Sequence, residues 1–156
     1  MNPRRTSWTT GCLVGGLILG FLGVIPLSAR ADQVFIGVYK WVIDGYDPVA
    51  YFLEGKPVKG RSDVSYEWNG GRWLFNSEEH RQLFIENPEK YAPQYGGFCS
   101  FGVSKGAKVR GAGEVWNIVD GKLYLYFNTN VQSRWESNRE EYIRRADEKW
   151  ITLKDQ

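Results

Sequence analysis

The apolar positions of this chain change their period several times, and each change marks a predicted element. From 12 to 27 they run almost unbroken. From 34 to 43 (VFIGVYKWVI) they partly alternate, which predicts β structure. Asp44-Gly45-Tyr46-Asp47-Pro48 then reads as a turn, VAYF (49–52) as a short apolar run, and Glu54-Gly55-Lys56-Pro57 as another turn. Aromatic-rich runs at 65–68 (SYEW) and 72–75 (RWLF) flank Asn69-Gly70-Gly71 and predict a hairpin, because Asn and Gly accept the positive φ of a tight reversal. Asn76 or Ser77 caps a following helix; Asn76 with Glu79 makes a capping-box-like start, and Glu78 and Glu79 suit the positive helix end. His80, Leu83 and Phe84 share one face of that helix and turn it toward the hairpin. Asn87-Pro88-Glu89 begins a further helical turn, and Pro93, Gly96 and Gly97 end regular structure.

Glycines at 96, 97, 102, 106, 111 and 113 predict a long permissive loop lying over the hairpin and forming the rim of a pocket. A second hairpin, 115–119 with 123–127, reverses at Asp120-Gly121-Lys122. Alternation puts Leu123, Leu125 and Phe127 on one face of its return strand and Tyr124 and Tyr126 on the other, covering a half-exposed side. The tail is helical, with Val131 and Trp135 on one stripe and Tyr142, Ile143, Ala146 and Trp150 on the next; Ser137-Asn138-Arg139-Glu140 offers a capping box between them. The fold class this implies is α+β: a small antiparallel sheet of hairpins packed by a central short helix and a C-terminal helix. No linker, low-complexity segment or repeat stands out.

The first residues change the charge argument. Arg4 and Arg5 precede the apolar run, and Ala29-x-Ala31 is the small-residue pattern a signal peptidase recognises. The run falls short of the roughly 20 residues of a membrane span. Residues 1–31 are therefore predicted to be a signal peptide and residues 32–156 a single periplasmic or secreted domain, with no membrane contact after cleavage. Taking Arg4, Arg5 and Arg30 from the 20 basic residues leaves 17 against 18 acidic ones, a net charge of −1. No basic block remains to neutralise phosphates, which argues against nucleic acid. Arg144 and Arg145 stand among Glu140, Glu141, Asp147 and Glu148, the pattern of a solvated helix face. Six of the 7 tryptophans lie beyond the leader, and each reads as core packing.

Little of what remains carries chemistry. His80 is the only histidine, and Cys99 is the only cysteine after the leader. Cys99 reads as a small buried hydrophobe, a metal thiolate, an intermolecular disulfide partner or a nucleophile that would need His80 as its base. Asp47, ahead of Pro48, reads as a turn residue bonding nearby backbone N–H groups. No two-carboxylate site, Ser-His-Asp order or HExxH motif is present, so the chain is not expected to be an enzyme.

Asp47-Pro48-Val49, Tyr66, Gly70, Phe75, Ser77, Phe84 and Pro88-Glu89-Lys90-Tyr91 resemble the motif of the YHS domain. GYDPVAYF (45–52), KYAPQYGGFC (90–99) and DGKLYLYFN (120–128) extend the resemblance to a longer, secreted variety of YHS-domain protein. Such domains in metal-handling proteins present cysteines. Here those positions hold Ala50, Asn76 and His80. The thiolate cluster that would hold a soft metal is thus missing, and the family name does not by itself carry metal binding onto this chain. The resemblance still favours a small binding module, with a copper or zinc ion as the candidate ligand of a degenerate set in which His80 supplies nitrogen and Cys99 sulfur. A structural or protein-interaction domain with no bound ligand is the alternative, with an unknown protein as partner.

Overall fold

The structure, a computed structural model, describes residues 34–37 and 41–156. The predicted signal peptide lies outside the described residues. Two hairpin–helix units follow one another along the chain. In the 34–43 stretch, expected to be β, the described residues contribute isolated bridges: Ile36 to Val42 and Trp41 to Arg72. A 3₁₀ turn, Ile43–Gly45, then leads into α1, Ala50–Leu53. The first hairpin is β1, Arg61–Trp68, with β2, Gly71–Phe75, followed by α2, Glu78–Glu86, and α3, Pro88–Tyr91. A second 3₁₀ turn, Gln94–Gly97, leads into α4, Ser100–Ser104. The second hairpin is β3, Ala112–Val119, with β4, Lys122–Tyr126, followed by α5, Thr129–Glu136, and α6, Arg139–Leu153. The glycine-rich stretch is thus not a continuous loop, since α4 interrupts it.

Local chemistry explains the reversals and helix starts. Asn69 and Gly70 take φ of 52° and 81°, Asp120 and Gly121 take 50° and 72°, the left-handed pairs that two-residue hairpin turns require. Ser77, not Asn76, caps α2: its side chain accepts from the His80 backbone N–H. Asn76 reaches instead to Glu54, 2.8 Å away. Asn87 caps α3, where Pro88 begins the helix without needing a hydrogen-bond partner for its nitrogen. The box expected at 137–140 does not form; Asn138 precedes α6 with no side-chain cap, and the Ser137 hydroxyl donates back to the Arg134 carbonyl at 2.7 Å.

The two hairpins are separate two-stranded sheets, and two apolar clusters surround them. The first gathers Trp73 and Phe75 of β2 with Phe84 of α2, Tyr91, and the Leu123 and Leu125 side of β4. The second gathers Tyr124 and Tyr126 from the opposite side of β4 with Trp135, Ala146 and Leu153. β4 is thus a wall shared by both clusters. The two tyrosines were expected to cover a half-exposed face; they are 2 % and 0 % exposed. The reason is α5 and α6, which fold back onto that face through Trp135, whose ring lies 5.7 Å from Tyr124 and 5.8 Å from Tyr126. Phe127, expected to continue the leucine face, falls just past β4 and is 51 % exposed.

Candidate functional site

The turn before α1 and the first turn of α2 meet at Asp47. Its carboxylate is completely buried, and its partners come from three elements. Oδ1 accepts from the Val49 N–H at 2.9 Å and, more weakly, from Ala50 at 3.4 Å, the local Asx turn expected of an Asp before Pro. Oδ2 accepts from the Asn76 N–H at 2.9 Å and faces His80 Nδ1 at 2.7 Å. A carboxylate has no hydrogen to offer, so Nδ1 of His80 carries the hydrogen of that bond. The other ring nitrogen, Nε2, is left as an acceptor or ligand atom. The side chain of His80 is 12 % exposed, against none for Asp47. The capping geometry of Ser77 and the bond from Asp47 together fix where this imidazole sits.

Cys99 occupies a different environment. It is 1 % exposed and belongs to the second cluster, between the turn Gln94–Gly97 and β4. Its backbone N–H donates to the Val109 carbonyl at 2.7 Å, and it bridges to Leu125. Among the described residues no hydrogen bond joins Cys99 to His80, and no three His, Cys, Asp or Glu side chains stand close enough to hold a metal ion. The residues present therefore do not fit a closed metal cage, which takes four protein donors for zinc. What sequence reasoning missed is the partner of His80. Asp47 and His80 are 33 positions apart, and no helix or strand period connects them. The one available signal was that Asp47 opens the YHS-like motif.

The glycine-rich stretch does contribute to a pocket rim, through Arg110, Ala112 and Gly113. A cavity of about 400 Å³ is walled by Trp41, Asp44, Tyr46, Lys59, Arg110 and Glu114, among others. Its charges are internally matched. Arg110 pairs with Asp44 at 2.7 Å, Lys59 sits 3.5 Å over the Tyr46 ring, and the Tyr46 hydroxyl donates to Glu114 at 2.5 Å. Burial, then the bond to Glu114, pushes the Tyr46 hydroxyl up to about 12, so it remains a donor at neutral pH.

Fold and site together define a small α+β protein whose first hairpin–helix unit holds a buried carboxylate–imidazole pair. Residues 49–95 match the family model of the YHS domain, a family to which metal binding is attributed. No curated protein and no solved structure matches the chain significantly. Among the described residues no helix is long and apolar enough to cross a membrane.

Proposed function

We propose that this protein is a small periplasmic or secreted binding module, not a catalyst, and that its recognition atom is Nε2 of His80. The observation that carries this reading is the 2.7 Å contact between Asp47 Oδ2 and His80 Nδ1, with the carboxylate fully buried. A carboxylate behind one ring nitrogen sets the tautomer and orients the other, the arrangement found behind metal-bound imidazoles. The YHS match favours a metal ion as ligand, copper or zinc by the preference of imidazole nitrogen. One imidazole is too few donors for a resident cofactor. The ion would arrive with the rest of its ligands from solvent or from a partner protein, and Cys99 takes no part.

Titration of the metal-free protein with Cu(II) and with Zn(II), followed calorimetrically and by electron paramagnetic resonance for copper, tests the proposal. One equivalent is expected to bind with a single imidazole nitrogen in the spectrum. His80→Ala abolishes it, Asp47→Asn weakens it by about 10–100-fold, and Cys99→Ser leaves it unchanged. Absence of binding, or binding indifferent to His80→Ala, overturns it. The second reading is a structural or protein-interaction domain without ligand. The observation favouring it is that Asp47 also ties down backbone groups at Val49 and Asn76, a purely structural task.

A further inference from the structure

The second hairpin–helix unit repeats the first. β1 and β3 start at 61 and 112, β2 and β4 at 71 and 122, α2 and α5 at 78 and 129, α3 and α6 at 88 and 139, a constant 51 residues apart. Both hairpins carry the same irregularity at the same place: pairing jumps from Arg61–Phe75 to Ser65–Leu74 in one and from Ala112–Tyr126 to Trp116–Leu125 in the other. Ser77 caps α2 through the His80 N–H, and Asn128 caps α5 through the Val131 N–H.

The correspondence continues upstream, with one residue fewer in the second unit. Ile43, Asp44 and Gly45 all have positive φ, as do Tyr95, Gly96 and Gly97. Tyr46 bridges to Lys59 as Phe98 does to Arg110, and the Asp47 N–H donates to Val58 at 2.8 Å as the Cys99 N–H does to Val109 at 2.7 Å. A Cβ at Gly60 would lie 2.4 Å from the Leu74 carbonyl carbon, and one at Gly111 would lie 2.9 Å from Leu125 Cβ, so each unit needs a bare backbone at this point. Little of this is visible in the residues, where Asn87-x-Glu89-x-Tyr91 and Asn138-x-Glu140-x-Tyr142 are among the few identities.

In this alignment Cys99 stands where Asp47 stands, and Val131 stands where His80 stands. The lone thiol and the lone imidazole therefore belong to different units. They mark equivalent regions of two units. The surroundings differ in the same sense. Beyond Tyr142, α6 continues to Leu153 and covers α4, and Ser104 there is 1 % exposed. A Cβ at Gly106 would meet the Lys149 side chain of α6 at 3.7 Å, whereas one at its counterpart Gly55 meets nothing within 4 Å. Leu53, the counterpart of Ser104, is 57 % exposed. After Tyr91 the chain turns off at Pro93 into the second unit, so among the described residues no helix roofs α1. The family match, 49–95, covers the first unit except residues 43–48, Asp47 among them, and stops where the second begins.

We infer that residues 95–142 are a second copy of the unit 43–91, and that the ligand position of this unit survives once per chain: an Asp47–His80 pair in the first copy, replaced by Cys99 and Val131 in the second, where α6 covers α4. The inference rests on the reading of His80 as the ligand position only for what binds there; the equivalence of the two positions stands on geometry and is tested without a ligand. Two variants of the full mature chain suffice, read by nuclear magnetic resonance. In Val131→His, the introduced imidazole is expected to give nuclear Overhauser contacts to the Cys99 Hβ protons. In Cys99→Asp/Val131→His, a second hydrogen-bonded, slowly exchanging ring N–H is expected beside that of His80, the only histidine of the natural chain.

A folded double variant with no protected second ring N–H overturns the inference. If burying the new pair beneath α6 unfolds the double variant, Val131→His decides, and absence of contacts to Cys99 overturns it. Cu(II) added to the double variant then separates the two readings. Two equivalents, against one for the natural chain, support both. A second ring N–H with no copper bound by either protein leaves the duplication standing and sinks the binding reading.

Discussion

Replacing Asp47 by alanine is expected to cost far more than replacing the histidine it orients. The carboxylate is fully buried and receives two good backbone bonds, from Val49 and Asn76, both at 2.9 Å. The 3.4 Å contact to Ala50 is too long to add much. Alanine leaves both backbone donors without that acceptor, at about 1–2 kcal/mol each. The imidazole is 12 % exposed and can turn its N–H toward water, adding about 1 kcal/mol or less. Asp47→Ala should therefore lose about 2–5 kcal/mol, a large share of the roughly 5–15 kcal/mol that holds a domain together. His80→Ala removes one bond from a carboxylate that keeps its backbone donors, and should lose about 1 kcal/mol. Guanidinium denaturation of both variants at pH 7, followed by tryptophan fluorescence at unchanged m-value, measures the difference. Equal losses would refute the reasoning, because the carboxylate would then matter only through the imidazole.

Alkaline stability should be set by buried tyrosines. Tyr46 and Tyr124 are each pushed up to about 12, burial being the largest cause, and burial also raises Tyr51, Tyr95 and Tyr126 above their ordinary value of 10. Their folded pKa values lie above the unfolded ones, so their contribution is intact below pH 10 and is lost as pH climbs from 10 through 12. Tyrosinate absorbance should lag until the circular dichroism collapses; ionisation of all the tyrosines near pH 10 with native dichroism would contradict this. Tyr126→Phe is expected to be neutral or stabilising by up to about 1 kcal/mol, since its hydroxyl is buried without a hydrogen-bond partner among the described residues and its counterpart in the first unit is Phe75. A loss above about 2 kcal/mol in thermal melts would mean that hydroxyl is bonded.

The sequence by itself determined both reversals, the start of α3 and the sorting of the β4 faces. Asn69-Gly70 and Asp120-Gly121 set both reversals because few other pairs accept two consecutive left-handed residues. Asn87-Pro88 started α3, and period-two alternation sorted Leu123 and Leu125 from Tyr124 and Tyr126. Even the local half of Asp47 was legible, as a turn acceptor for Val49. Tertiary structure alone decided what each face meets. Whether the tyrosine face of β4 is wet depends on where α6 folds back, and no period within β4 encodes that. The bond from Asp47 to His80 depends on one turn crossing one helix start, a distance in space with no counterpart in sequence spacing. The repeat lay hidden for a related reason. What its two halves share is backbone: positive-φ turns, a bulge, caps and two glycines without room for a Cβ, demands that several different residues can satisfy.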